Sequence, residues 1–182
     1  MRELILKPAT ENDYEDYYMV RSCPGDIYWN GYDGKPDKEK FKTGYLKRLG
    51  DTPLTMPEDR RNYLIQLINI DSKVSTIGFI QLIRRVDGID IGYTVMEEYQ
   101  GHGYATRALL LGIEKAREFD DRIYVQIRDD NEASKRVAIK CGFMKSDDYI
   151  VKSYSRCGNV KLRKYYLVST AQAATFAVQG KI

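Results

Sequence analysis

The chain has 182 residues, 43% hydrophobic and 30% charged, a length that suits one compact domain with a substantial buried core. Its 29 Lys and Arg against 26 Asp and Glu leave a net charge of +3, too weak an excess for a dedicated nucleic-acid binder. A single histidine, His102, excludes multi-histidine zinc sites, and the scattered Cys23, Cys141 and Cys157 form neither a disulfide framework nor a metal knuckle.

Leu4-Ile5-Leu6 predicts a short first strand. Thr10 followed by Asp13 resembles a capping box opening a helix to about Val20. Residues 22–62 are irregular, punctuated by Pro24, Gly25, Gly31, Gly34, Pro36, Pro53 and Pro57. Within them Phe41, Tyr45 and Leu49 recur at steps of four behind Asp37, which predicts one helix. Segments 63–70, 74–83 and 89–96 predict an antiparallel meander, with Asp71-Ser72-Lys73 and Asp87-Gly88 as its turns.

The period then changes. Ala105, Ala108, Leu109, Gly112, Ile113 and Ala116 recur at steps of three and four, leaving Arg107, Glu114, Lys115 and Arg117 outward, as in an amphipathic helix. Ile123, Val125 and Ile127 alternate with Tyr124, Gln126 and Arg128 in a strand. Asn131 caps a helix that places Val137, Ala138 and Cys141 on one face and stops at Gly142. Strands over 143–151 and 160–168, joined through Cys157-Gly158-Asn159, complete the pattern, and 169–182 reads as a frayed tail. Strand–helix–strand over 89–128 implies a parallel pair with a right-handed crossover, flanked by antiparallel pairs. The expected fold is one mixed α/β (α+β) domain over 1–168. Unpaired cysteines suit a reducing compartment, and no apolar run approaches the roughly 20 residues of a membrane span. The expectation is a cytoplasmic protein without membrane contact.

Between strand 89–96 and the next helix lies Gln100-Gly101-His102-Gly103-Tyr104-Ala105. Two glycines let backbone N–H groups approach a ligand closely, and the helix start adds its positive dipole end, so this loop suits a phosphate group. It is neither a Walker loop nor a full dinucleotide fingerprint, since no Gly-Lys-Ser/Thr follows and Thr106 stands three residues after Gly103.

Gln100-x-x-Gly103-x-Ala105 after a strand resembles the acyl-CoA pyrophosphate loop of the GNAT N-acetyltransferase superfamily. Ile91-Gly92-Tyr93 before it, and Asp130-Asn131-Glu132-Ala133-Ser134 with Cys141-Gly142-Phe143 after it, stand in the order of that family. The branch most resembled holds the ribosomal-protein alanine N-acetyltransferases and many bacterial small-molecule acetyltransferases. The resemblance is strong over 76–143, looser over 4–20 and 144–168, and essentially absent over 22–62. It implies a GNAT-like, mostly antiparallel sheet with a central splayed parallel pair and helices on both faces.

It further implies acetyl-CoA as cosubstrate, no metal, and direct transfer to an amine without an acyl-enzyme, so Cys141 is not needed as a nucleophile. The pantetheine would pair with main chain around Tyr93, Val95 and Met96, and the pyrophosphate would sit on N–H groups from Gly101 through His102, Gly103 and Tyr104 to Ala105, behind Gln100. Asn131 matches the family's pantetheine-holding Asn, which is compatible with a helix N-cap, and Ser134 lies nearby. Arg107, Lys135, Arg136 and Lys140 are either phosphate partners or solvated helix charges.

An alkylammonium with a pKa near 10.4 must lose a proton before it attacks, so a carboxylate is expected near the reacting nitrogen. Asp90 replaces the Glu often found before Ile-Gly-Tyr in this branch, with Glu97 and Glu98 as further candidates. Where many relatives carry a Tyr general acid, seven residues after the Asn, this chain has Ala138; Tyr149, Tyr154 or solvent would substitute. The N–H of Val95 or Met96 would polarise the carbonyl. Segment 22–62 and the final hairpin would form the acceptor pocket. There, Tyr28, Trp29 and Tyr32 with Asp26, Asp33 and Asp37 either hold a cationic amine or form a packed surface loop. The acceptor is a small molecule or a protein N-terminus, and a homodimer is compatible with the sequence. The rival reading is a non-catalytic acyl-CoA-binding regulatory or interaction domain of the same fold.

Overall fold

The computed structural model describes residues 3–168; the tail expected over 169–182 lies outside the described residues. Its strands are β1 (Glu3–Pro8), β2 (Arg60–Ile68), β3 (Val74–Arg85), β4 (Gly88–Val95), β5 (Ile123–Arg128), β6 (Phe143–Tyr154) and β7 (Gly158–Leu167). The helices are α1 (Tyr14–Arg21), α2 (Pro24–Trp29), α3 (Lys38–Leu46), α4 (Tyr104–Arg117) and α5 (Glu132–Lys140). The strands form one sheet in the order β1-β2-β3-β4-β5-β7-β6. The pair β4–β5 is parallel and the other pairs are antiparallel. This is the mixed sheet with a central parallel pair that the sequence predicts.

Alternation along the strands feeds two cores, because successive side chains point to opposite faces. Ile65, Leu67, Ile80, Leu82, Ile89 and Ile91 face α4, where Ala108, Leu109, Ile113 and Ala116 pack on them. On the other face Leu64 and Phe79 meet Tyr14, Tyr17 and Val20 of α1 and Tyr45 of α3. The abundant tyrosines explain how an irregular segment is held there. Each buries a ring and spends its hydroxyl on a loop carbonyl: Tyr45 Oη donates to Thr10 O at 2.6 Å, Tyr18 Oη to Pro36 O at 2.9 Å, and Tyr14 Oη to Lys38 O.

The capping box forms, with the Thr10 N–H and hydroxyl donating to Asp13 Oδ2 at 2.9 and 2.6 Å. Strand β2 begins at Arg60 rather than at 63, because Arg60, Arg61 and Asn62 carry no apolar signal yet pair with Ile83, Leu82 and Gln81. Helix α2 is a further departure. Pro24-Gly25 reads as a turn, but Pro at the first helical position is favoured, and it opens a helix of six residues.

Candidate active site

The central parallel pair is registered at only two points, Ile89 with Ile123 and Asp90 with Tyr124, after which β4 and β5 separate. Which backbone groups this leaves open follows from strand geometry. The Ile89 N–H donates across to Arg122 O at 2.8 Å, and the Met96 N–H donates to Ile77 O at 2.9 Å on the opposite side. Backbone groups two residues apart point the same way, so Ile91, Tyr93 and Val95 face the gap. Tyr93 and Val95 are therefore brought to the expected edge. Met96 is not: its N–H is committed to Ile77, so it is unavailable either to a ligand in the gap or for carbonyl polarisation.

At the open end of the gap, Gly101 and Gly103 both take left-handed backbone conformations, with φ of +79° and +78°, and a Cβ at either would meet nothing within 4 Å. Only glycine holds this geometry cheaply, and Gly103 is the N-cap of α4. The first N–H groups of that helix, at Tyr104, Ala105 and Thr106, have no partner within it and open onto the same space. Gln100 braces the loop, its Nε2 donating to Val95 O at 2.9 Å. His102 is exposed, with Nδ1 2.8 Å from Gln100 O and its ring stacked on Tyr104. Across the gap, Asn131 Oδ1 accepts from the Ser134 N–H at 3.0 Å, so its N-cap role is realised while its Nδ2 stays free for a ligand. A phosphate-bearing ligand with an extended arm fits these features: an anion cradle at a helix start, then an unpaired strand edge.

Asp90 sits where the ladder stops, 5% exposed, on the face opposite α4. Burial pushes its carboxyl up to about 6, drawn back by Arg85, whose Nη2 is 3.5 Å from Asp90 Oδ2. The same face carries Thr94, whose hydroxyl donates to Asp26 Oδ1 at 2.7 Å, and Arg21, whose Nε is 3.3 Å from Asp26 Oδ2. Glu97 and Glu98 lie exposed on a single 3-10 turn after β4.

Tyr149 is not brought to the gap. It lies on the outermost strand, 49% exposed, with its ring beside Lys161 and Arg163, two strands beyond β5. Nor do the aromatics of segment 22–62 stand open to a cationic ligand. The Arg128 guanidinium lies 5.4 Å over Tyr28 and 5.2 Å over Trp29, Asp26 faces Arg21, and Asp37 caps α3. The protein's own arginines occupy the places proposed for an amine.

Arg21, Arg48, Arg60, Asn62 and Gln81 were not singled out by sequence. For Arg60, Asn62 and Gln81 the available signal is the two-fold alternation of β2 and β3, which turns them to one face of the sheet; Arg21, at the end of α1, and Arg48, in the turn after α3, carry no such signal. Among the described residues no group of three or more His, Cys, Asp or Glu could hold a metal.

A gap between parallel strands with an anion cradle at its mouth suits a cosubstrate that has a phosphate-bearing end and an extended arm. A family model described as acetyltransferase (GNAT) domain matches residues 3–144, well over half of the chain, and the protein belongs to that family of acetyl-CoA-using N-acetyltransferases. No curated protein matches it in sequence. Among solved structures it is similar to spermidine N-acetyltransferase from Vibrio cholerae in complex with CoA and spermine, at 14% identity and TM-score 0.71, over 94% of this chain and 98% of that one. It is similar also to a GNAT acetyltransferase from Bacillus anthracis, at 18% identity and TM-score 0.71, over 91% and 94%. An aminoglycoside acetyltransferase solved with coenzyme A aligns at 15% identity and TM-score 0.67, over 95% and 98%.

Proposed function

We propose that the protein moves an acetyl group from acetyl-CoA directly to the primary amine of a small molecule. The observation that carries this reading is the ladder break after Asp90 with the Gly101–Gly103 cradle at its open end. The main-chain edge at Tyr93 and Val95 would hold the pantetheine, with Asn131 Nδ2 and Ser134 opposite, and the N–H groups from Gly101 to Ala105 would hold the pyrophosphate. The thioester supplies an activated acyl carbon; everything else falls to the chain. Asp90, matched to neutral pH by its burial, takes the proton that an alkylammonium must lose before its nitrogen can attack. With the Val95 carbonyl taken by Gln100 and its N–H turned to the pantetheine, the next donor deeper in the gap, the Tyr93 N–H, would turn to the thioester oxygen as charge builds on it.

Ala138 offers no proton to the departing thiolate. The Tyr93 hydroxyl lies 3.4 Å from the Ser134 carbonyl, one helical turn before Ala138, and burial pushes its phenol up to about 12, which keeps it protonated. Tyr93 is therefore assigned the role of proton donor. A small acceptor is favoured over a protein N-terminus by a half-open cavity of about 400 Å³ between α1, α3 and β2, walled by aromatic rings on the face that Asp90 occupies.

Calorimetric titration of acetyl-CoA into wild type and Gly103→Glu tests the reading. A carboxylate at the pyrophosphate position should abolish binding while the circular dichroism spectrum stays folded. Equal binding by both proteins, or none by wild type, would overturn it.

A further inference from the structure

Resting on that transferase reading, we infer that the acceptor carries an anionic group, a carboxylate or a phosphate, and that this group docks in the cavity between α1, α3 and β2. Tyr17, Tyr32 and Phe41 form aromatic walls, while Lys40, Arg48 and Arg60 supply three cations; no acidic side chain lines the space. The neighbouring charges do not cancel these. Arg21, behind the aromatic wall, is matched by Asp26. Glu58, 3.4 Å from Arg60 Nη2, is shared with Arg85, and Arg85 also faces Asp90. The half-buried Arg48 guanidinium is held below its ordinary value by burial and then by the charges of Arg60 and Arg21. Three cations gathered around one cavity without an acidic partner in its lining are unfavourable until an anion joins them, and guanidinium groups are suited to bidentate pairing with carboxylate or phosphate.

A polar row links this cavity to the reacting strand. Arg60 Nη1 donates to Gln81 Oε1 at 3.5 Å, and Gln81 Nε2 donates to Asn62 Oδ1 at 2.7 Å. Because arginine only donates, this order fixes both amides, and the fully buried Asn62 Nδ2 is left without an acceptor. Gln81 is in turn the cross-strand partner of Gly92, where a Cβ would meet nothing within 4 Å. An open trough therefore lies over β4 between Asp90 and Thr94, on the cavity's face of the sheet. From β4 to β2 is two strand spacings, about 10 Å. An acceptor with its amine over Gly92 and its anion at Arg48 and Arg60 spans that distance. A polyamine such as the spermine bound by the Vibrio relative would instead meet cations there.

Acetyl-CoA-dependent thiol release by the whole chain tests this on straight-chain ω-amino carboxylates of two to six carbons, each against its amide. Phosphoethanolamine against ethanolamine forms the phosphate arm, and spermidine serves as the cationic contrast. The anionic member of at least one pair should exceed its neutral counterpart by about 10- to 100-fold in kcat/KM, the equivalent of one or two charge-assisted hydrogen bonds. Arg48→Gln and Arg60→Gln should each draw that ratio towards one, with Arg→Lys at the same positions recovering part of it. A calorimetric arm uses the N-acetylated acids and amides with CoA present, so it reports on the cavity even if no amine is turned over. Tighter binding of the acids, lost in the Gln variants, supports the inference. Preference for amides or spermidine, a ratio unchanged in both Gln variants, or equal binding of acids and amides overturns it. Failure of the transferase reading would show separately, as absent acetyl-CoA binding.

Discussion

Replacing Asp90 with Asn removes a charge that the fold resists. The residue is 5% exposed, and burial lifts its carboxyl from 3.8 to about 6 despite Arg85. A rise of about two units corresponds to about 3 kcal/mol of added cost for keeping the carboxylate ionised in the native state. The sign comes from proton counts. Between the two values the native protein holds a proton that the unfolded chain has released, so stability falls as pH rises from about 4 to about 6 and stays at its lower level above. D90N has no proton to release in that window and lacks this component of the slope. Urea unfolding of both proteins at pH 4 and pH 7 should therefore show wild type losing about 2 kcal/mol relative to the variant across the interval, since part of the ~3 kcal/mol is already lost at pH 4. A difference that does not change with pH would refute the premise that burial outweighs the ion pair. The same group should govern catalysis: kcat/KM of wild type should fall about tenfold per pH unit below 6, while D90N should be low throughout and without that limb.

Two further outcomes follow from the same geometry. Tyr93→Phe should lower kcat by about 100-fold or more with acetyl-CoA affinity unchanged, since general-acid groups contribute on that scale; full activity in stopped-flow thiol release would remove Tyr93 from the mechanism. Arg21→Met should destabilise the protein by about 3–5 kcal/mol in denaturant unfolding, because Asp26, only 1% exposed, would be stranded without its counter-charge. Adding Asp26→Leu should recover most of that loss.

The central part of the fold was legible because its signals are local. The spacing from Ile91 through Gly103 to Ala116 states a strand, an anion loop and an amphipathic helix within one short stretch, and Asn131 with Gly142 marks both ends of the next helix. What escaped was long-range. Whether Met96 has a free N–H depends on its pairing with Ile77 across the sheet, and the distance of Tyr149 from the gap depends on the strand order, which inserts β7 between β5 and β6. Sequence alone leaves the aromatics at Tyr28 and Trp29 as either an amine holder or a packed loop, because the side chain that packs on them, Arg128, stands a hundred residues away in the chain. The cationic cavity is likewise assembled from α1, α3 and β2, whose contributions carry no shared spacing.

The break in the β4–β5 ladder gives the sheet an inner edge, with its donors turned into a slot rather than towards bulk neighbours. Exposed edges invite pairing with other chains, whereas an edge recessed between two strands admits only something slender. A ligand that pairs there plays the part of the missing strand and binds the native state alone. At one hundred times its dissociation constant it would add about 2.7 kcal/mol to the unfolding free energy. Hydrogen exchange should register this at single amides: Ile91, Tyr93 and Val95 should exchange readily for mid-sheet residues in the free protein and become protected once the slot is filled. A cosubstrate seated in that recess would thus tie the integrity of the sheet to its own supply.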